Sequence, residues 1–528
     1  MTSLISVERL INILTNHPDS NKRQIYSYLR AQGVDGLTLS DINSVLYSNQ
    51  KYFSWRTVPN GCQRIWRLKS KPREIHTTIS PTSPGRSFSD QLNLYPWQRR
   101  ALLKWRETGY KGVVEAVTGA GKTRMAVVAA AGHLFKKWKV VTIVPTHELM
   151  NQWHKEFENH LVRSIKMNVR IGRLGGGKSD TLENYDILIA TASSSARYLL
   201  LPNSYKGLLI ADECHHYGAE SWSRALEEGF AHRLGLTATY EREDQGREKY
   251  LDPYFGGVVY SLDYEEALSE NVIADFKIAF IGSRFSPREQ VQYEEADDRA
   301  SRYRKMLINQ YGLPEEPFGT FILEVNKLHK ANSGRASKIA GYYLSAFTKR
   351  RHIMAAANAK LEKIQQLKTA IKEADRTIVF AQTREAAERV VQLLENEDIA
   401  GAVLDSTMDM DERRRVFAGF EEGEHELMAA PRLLDEGIDV PSADLGIVLA
   451  TCRSRRHLIQ RMGRVLRRKA DGRTARLAVL FIEGTAEDPR TGAHEDFMDI
   501  VADAALETRI FSANDQKGSF ISYLSEFH

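Results

Sequence analysis

Gly112-Val113-Val114-Glu115-Ala116-Val117-Thr118-Gly119-Ala120-Gly121-Lys122-Thr123 decides how the rest of the chain is read. A short apolar run leads into Ala-x-x-x-x-Gly-Lys-Thr, and Met125 to Phe135 is rich in Ala, Val and Leu, as a buried helix is. The pattern predicts a strand, a phosphate-binding loop and a helix. Gly119 and Gly121, with Thr118 and Ala120 in the same turn, let successive N–H groups and the helix N-terminus face an anion. Lys122 brings a positive charge to β- and γ-phosphates, and Thr123 offers a hydroxyl to Mg²⁺. ATP and Mg²⁺ are the cofactors this predicts. The first position is Ala116, where the strict motif has Gly.

About ninety residues further on, Leu208-Leu209-Ile210-Ala211-Asp212-Glu213-Cys214-His215 is an apolar strand that delivers two adjacent carboxylates. Asp212 is expected to hold Mg²⁺ and Glu213 to orient and deprotonate the attacking water. Cys214-His215-His216 has no second ligand cluster at a useful spacing, so zinc is not expected. Val140 to Val144 and Asp186 to Ala190 read as further buried strands, ending in Thr146 and Thr191 loops. Loops at the carboxyl ends of parallel strands are where open α/β sheets bind ligands. From Thr377 onward, strand-like runs again alternate with helical stretches, without a second phosphate loop. This half offers Asp435-Glu436-Gly437-Ile438-Asp439-Val440-Pro441 and Gln460-Arg461-Met462-Gly463-Arg464-Val465-Leu466-Arg467 instead. Gln460, Arg464 and Arg467 share one helix face, and guanidinium groups suit the charge that spreads over a γ-phosphoryl group in the transition state.

Composition sets the outer limits. At 528 residues, 42% hydrophobic and 27% charged, the chain has room for roughly three to four ordinary globular domains. A net charge of +5 permits a nucleic-acid partner without demanding one. Three widely spaced cysteines give neither a disulfide framework nor a metal site, which fits a reducing compartment. No run approaches about eighteen apolar residues and the N-terminus has no export signal, so a cytoplasmic protein is expected, nucleoid-associated if bacterial or viral. Residues 4 to 68 read as three amphipathic helices and a hairpin, the pattern of a winged helix. Lys69 to Asp90, rich in Ser, Thr, Pro and basic residues, reads as a flexible linker. Between Glu289 and Lys349 the chain is charged and helix-prone, consistent with an inserted helical subdomain.

Leu94-Tyr95-Pro96-Trp97-Gln98, the phosphate loop, Asp212-Glu213-Cys214-His215, Leu234-Gly235-Leu236-Thr237-Ala238-Thr239 and the Gln460 to Arg467 segment together resemble a superfamily 2 helicase. The likeness runs from about Leu92 to Gly484 and is greatest to the XPB/RadD-like DNA translocases. It implies two RecA-like parallel-sheet domains in tandem. By the same resemblance Gln98 reads the adenine edge, Gly437 and Asp439 lie at the nucleotide, and Thr146 and Thr191 contact the nucleic-acid backbone. The hydroxyls of Thr237 and Thr239 would connect the acidic pair to the nucleic-acid side. Ala430-Pro431-Arg432 stands where relatives more often have a hydroxyl residue. Ile42 to Ser48, with Trp66 after the hairpin, is similar to the recognition helix and wing of Zα-type winged helices, with Asn43 and Tyr47 on one helix face.

The expected domain order is a winged-helix module over 1–70, a linker over 71–90 and a first core domain over 91–262. A second core domain follows over 263–490, with a helical insertion at about 286–350, and a C-terminal tail over 491–528. The expected function is an ATP-dependent DNA helicase or duplex-DNA translocase, with DNA as partner, in repair or genome defence. An RNA helicase of the same superfamily, a motor subunit with a nuclease partner in a restriction or defence complex, and an ATP-switched winged-helix regulator are the alternatives.

Overall fold

The structure, a computed structural model, describes residues 7–17, 20, 22–32, 34, 42, 53–57, 64–68, 88–242, 244–315, 318–331, 333–405, 407–431, 443–449, 463, 465–469, 471–491, 504–516 and 518–525. Among these, helices Val7–Asn16 and Lys22–Ala31 bury Leu10, Ile13, Leu14, Ile25 and Leu29 in a small core of their own. β1 (Phe53–Thr57) and β2 (Arg64–Leu68) pair antiparallel with Trp55 opposite Trp66, and the hairpin packs on the first helix. Asn43 and Tyr47 lie outside the described residues, as does most of the expected linker. Its last residues do not continue as linker. Phe88–Gln91 is a helical turn whose Phe88 ring meets Phe135, because an aromatic at that point can cover the end of the phosphate-loop helix.

The first core domain is a sheet of eight strands: β3 (Lys111–Ala116), β4 (Lys139–Val144), β5 (Ile171–Gly175), β6 (Lys178–Ser179), β7 (Ile187–Thr191), β8 (Gly207–Ala211), β9 (His232–Thr237) and β10 (Val258–Leu262). Their spatial order is β10-β3-β9-β8-β4-β7-β5-β6, parallel except for the short β5/β6 hairpin. The central strands are Val-, Ile- and Leu-rich runs buried along their length, as strands covered on both faces must be. With all of these strands parallel, the loops after β3, β4, β7, β8 and β9 emerge at one edge. That edge carries the phosphate loop, Thr146, Thr191, Asp212 and Thr237.

The second sheet has the order β13-β14-β12-β15-β16-β11-β17, with every pair parallel. Its strands are β11 (Phe276–Ser283), β12 (Thr377–Ala381), β13 (Gly401–Val403), β14 (Leu427–Pro431), β15 (Leu445–Val448), β16 (Ala475–Ile482) and β17 (Glu507–Phe511). The tail set apart at 491–528 is therefore a correction: β17 extends this sheet beside β11, and helix Ser519–Ser525 buries Phe520, Tyr523 and Leu524 in the same core. A five-residue strand with two charged residues gives little local signal, and only pairing with β11 reveals it.

Between β11 and β12 the chain makes an excursion through helices Pro287–Tyr311, Phe318–Lys330 and Gly334–Ala356, longer than the expected 286–350. Leu307, Phe321, Val325, Ile339, Tyr343 and Phe347 form its own apolar core. Ser286 caps the first helix in a capping box with Glu289. Elsewhere in this domain two ion pairs are fully buried, Lys360 with Glu487 at 2.6 Å and Arg476 with Asp444 at 2.9 Å. Both are completed by further hydrogen bonds, Lys360 to the Leu449 carbonyl and Arg476 to that of Leu524, which is what makes burying such charges tolerable.

At the edge of the first sheet opposite the phosphate loop, His133 and His232 form a neutral pair. His133 Nδ1–H donates to the Ala129 carbonyl at 2.7 Å, so its Nε2 accepts from His232 Nδ1–H at 2.7 Å. Burial depresses both imidazoles, His232 to about 4, with His133, Lys136 and Lys111 adding repulsion there. A base held below its unfolded value of about 6.5 favours the unfolded state once protons bind. Stability from this pair is full above about pH 6.5 and declines as pH falls toward 4. His232→Gln is expected to flatten the pH dependence of Tm between pH 7 and 4.5; an unchanged slope would place the acid sensitivity elsewhere.

Candidate active site in the cleft between the two sheets

β3 ends at Ala116 and the chain turns through Gly119 (φ +85°) and Gly121 (φ +87°) into helix Lys122–Phe135. Both glycines lie in the left-handed region that a Cβ disfavours. Ala116 ends a strand in ordinary extended backbone, so the departure from the strict motif costs nothing there. Lys122 Nζ donates to the carbonyls of Ala116 at 2.8 Å and Val117 at 3.4 Å. Burial pulls its pKa down, while Glu213, Asp212 and Glu115 oppose that shift. The Thr118 hydroxyl is buried in the loop with no hydrogen-bond partner among the described residues, as a donor reserved for a ligand would be.

Gln98 is fully buried. Its Oε1 accepts from Tyr95 N–H and its Nε2 donates to the Gly121 carbonyl, each at 2.8 Å. It therefore ties the helix start at Pro96 to the phosphate loop. A Cβ on Gly121 would sit 2.8 Å from that amide nitrogen.

Asp212 leaves β8 with one carboxylate oxygen accepting from Trp153 Nε1–H at 2.7 Å and the other from Glu213 N–H at 3.0 Å. Burial raises its pKa, and the Trp153 bond, Lys122 and the Glu213 N–H restrain the rise. Glu213 takes φ +45°, a conformation uncommon for residues with a Cβ and concentrated at functional sites. Its Oε2 lies 3.5 Å from His215 Nδ1, which bonds Thr237 Oγ1 at 2.9 Å, and that hydroxyl donates to the Thr239 carbonyl. Because Thr237 gives its proton away, His215 Nδ1 carries a hydrogen. His215, which the sequence left without a role, is the physical link between the acidic pair and the Thr237 segment. Its position two residues after Glu213 was the only signal.

The other wall comes from the second sheet. Gly463 meets the phosphate loop so closely that a Cβ there would lie 2.1 Å from Thr118 Cβ, and a Cβ on Gly119 would lie 2.9 Å from the Gly463 carbonyl. Arg467 Cγ is 3.4 Å from that same Gly119 position, which brings Arg467 to the loop. Its segment is anchored by a bridge to Ile273 and by Ala274 N–H donating to the Leu466 carbonyl at 2.9 Å. Gln460, Arg464, Gly437 and Asp439 lie outside the described residues.

At the same sheet edge, Thr146 caps helix His147–Phe157, its Oγ1 accepting from Leu149 N–H at 3.3 Å. Thr191 is almost fully buried, with its hydroxyl bonded to Ser194 and close to Ser193. The β5/β6 hairpin explains this burial. Gly175 crosses Thr191 and Gly176 crosses His147 so tightly that Cβ atoms there would lie 2.7 Å from Thr191 Oγ1 and 2.9 Å from His147 Nδ1. Across the cleft, Glu148 pairs with Arg413 of helix Met410–Glu422 at 3.4 Å.

The residues fit Mg-ATP: a glycine turn with a helix N-terminus and lysine for phosphates, an unpartnered Thr118 hydroxyl, and a hydroxyl plus carboxylate, Thr123 and Asp212, for the ion.

Residues 91–242 match the family described as Type III restriction enzyme, res subunit, and residues 359–469 match the Helicase conserved C-terminal domain. The chain is 29% identical over 419 residues to the DNA 3'-5' translocase XPB2 of Sulfurisphaera tokodaii, covering 79% of this chain and 88% of that one. It is 24% identical over 435 residues to the DNA 3'-5' helicase XPB of Kineococcus radiotolerans, covering 81% and 66%. It spans about half, 54%, of a putative DNA 3'-5' helicase Rad25 of Haloarcula marismortui, at 25% identity. Among solved structures, Saccharomyces cerevisiae Dbp5 bound to RNA and ADP BeF3 superposes with TM-score 0.54 at 12% identity over 84% of this chain and 98% of that one, a likeness of fold.

Gly463→Ala is expected to keep both sheets folded and nucleotide affinity within about threefold, yet lower kcat by at least tenfold, because the added methyl occupies the space of Thr118. Steady-state ATPase kinetics beside nucleotide titration checks this, and a near-wild-type kcat would remove the close approach from the working cycle.

Proposed function

We propose that this chain, which belongs to the superfamily 2 helicases and to their XPB-like group, is an ATP-dependent DNA translocase or helicase. The observation that carries the reading is the meeting of Gly463 and Arg467 of one sheet with Thr118 and Gly119 of the other. A nucleotide between them would touch both domains, so the cleft state and the hydrolytic state are coupled.

The loop N–H groups and Lys122 would hold the β- and γ-phosphates, and Thr123 and Asp212 would hold Mg²⁺, which supplies charge neutralisation at the phosphates. Glu213 would orient the attacking water and take its proton. Arg467, with Arg464 and Gln460 from the same segment, would stabilise charge on the transferring phosphoryl group. Gln98 serves the nucleotide through the loop it braces, and an adenine contact by its amide belongs to the same proposal. The helix N-terminus at Thr146, the glycine hairpin and the Thr191 turn form the surface that supports a nucleic-acid backbone on the first domain. DNA rather than RNA is favoured by the XPB relatives, which are a DNA 3'-5' translocase and a DNA 3'-5' helicase by name. No helix among the described residues is long and apolar enough to cross a membrane, and we place the protein with DNA in the cytoplasm.

ATP turnover measured with duplex DNA, single strands, forks, hybrids and RNA tests the reading. DNA is expected to stimulate turnover most; equal or greater stimulation by RNA favours an RNA motor, and single-turnover behaviour favours an ATP-switched regulator. Lys122→Ala should weaken nucleotide binding. Glu213→Gln should leave binding within about threefold and lower kcat by on the order of 10²-fold or more, since only Glu213 acts on the water. Arg467→Ala should lower kcat by about 10³-fold with little change in affinity.

The two N-terminal helices have a core separate from both sheets. A fragment from residue 88 is expected to keep basal turnover within a few-fold while losing stimulation at limiting DNA, with a shallower salt dependence as phosphate contacts are lost. Unchanged DNA affinity and salt slope would assign the module to partner binding instead.

A further inference from the structure

Trp153 lies in the helix that starts at the Thr146 cap and belongs to the face buried with Leu149, Met150 and Phe157. It is 1% exposed. Taken alone that describes a core aromatic. Its Nε1–H, however, donates to Asp212 Oδ2 at 2.7 Å, within the buried pocket of the acidic pair. The second carboxylate oxygen is held by Glu213 N–H, and the Asp212 backbone N–H is held by the Ile143 carbonyl of β4. The strand that leads into the Thr146 loop and the helix that leaves it thus both grip Asp212.

An indole suits this place. It donates one hydrogen bond, accepts none and does not titrate, and its apolar body seals the carboxylate from water. It fixes one oxygen and leaves the remaining lone pairs to a metal ion, as outer partners of metal ligands do. Trp153 is seven residues beyond Thr146, two helical turns along the same face and roughly 10 Å away. A shift of the helix at its nucleic-acid-facing end would carry the indole, and with it the Asp212 oxygen.

We infer that Trp153 is a positioning residue for the metal-bound nucleotide, fixing the Asp212 carboxylate through its indole N–H and tying it to the helix that begins at Thr146. The inference rests on the ATPase reading above. It adds a route by which an engaged nucleic acid alters metal coordination without touching the nucleotide.

The test uses the full chain, comparing wild type with Trp153→Phe, Trp153→His and Phe157→Leu. Phe keeps most of the apolar ring and loses the donor. His keeps a ring N–H in a smaller body. Phe157→Leu perturbs the same buried face, where its ring lies 5.3 Å from that of Trp153, without removing the donor to Asp212. Calorimetry gives ADP affinity with and without Mg²⁺. Trp153→Phe is expected to keep metal-free ADP affinity within about twofold and to lose roughly tenfold or more of the gain that Mg²⁺ brings, the usual scale for removing a ligand's outer partner. The Mg²⁺ concentration for half-maximal ATPase should rise in parallel, and the fold-stimulation by DNA should fall. Trp153→His should retain more of the Mg²⁺ response than Trp153→Phe, the reverse of the order that packing predicts. Phe157→Leu should lower Tm and leave the Mg²⁺ response alone.

A full Mg²⁺ response in Trp153→Phe, or an equal loss in Phe157→Leu, overturns the inference. Failure of both Trp153 variants to fold while Phe157→Leu folds also overturns it, assigning Trp153 to packing. A wild-type protein that hydrolyses no ATP with any nucleic acid sinks the ATPase reading instead, a result separate from these.

Discussion

Two backbones without side chains meet across the cleft, and the active site depends on that meeting. Gly463 and Gly119 approach so closely that neither tolerates a Cβ, and Arg467 reaches the phosphate loop only because of it. The first sheet alone can cradle phosphates and hold a metal ion. In the proposed reaction the guanidinium would come from the other domain, so the transferring group would be surrounded only when the two domains are in register. A larger residue at either position would force the domains apart by the width of a methyl group and leave the charge on the transferring group uncompensated.

The short connection between the sheets keeps that register. Arg100, two residues beyond Gln98, pairs with Glu266 and Glu270, and Glu270 also accepts from the Trp97 N–H at 2.9 Å. Glu266 is nearly fully buried, and burial raises its pKa while Arg100 and Tyr260 oppose the rise. Immediately afterwards Ile273 and Ala274 bond to the segment that carries Leu466 and Arg467. One stretch of about ten residues therefore touches the brace of the phosphate loop at one end and the arginine segment at the other.

What could be read from the sequence was whatever is local. Gly119, Gly121, Lys122 and Thr123 lie within one turn of chain, and Asp212 and Glu213 follow one strand, so spacing alone was enough to propose them. Arg467 was proposed from its i, i+4, i+7 spacing with Gln460 and Arg464 on an expected helix face, whereas the structure places it just past helical Val465, in a bridge to Ile273. Residues whose work depends on distant partners were not legible. Trp153 looks like any core aromatic until Asp212, 59 positions away, is placed against its nitrogen. His215 gains its role only from Thr237, and β17 is a strand only because β11 offers an edge. Thr191 was placed at the nucleic-acid backbone by resemblance, and the close crossing of its hydroxyl by Gly175 of the β5/β6 hairpin is something no periodicity near Thr191 could indicate.

One side chain ties the entrance of the helical excursion between β11 and β12 to its exit. Glu289 Oε2 accepts from the backbone N–H and hydroxyl of Ser286 at the entrance, and its Oε1 accepts from Asn358 N–H at the exit. The two ends are stapled together, and what lies between has its own apolar core. The parent domain meets the excursion at this fixed doorway and at Tyr293 of its first helix, whose hydroxyl is held by the Ala486 backbone. A change of length beyond these contacts would leave the entrance and exit, and with them the spacing of β11 and β12, in place.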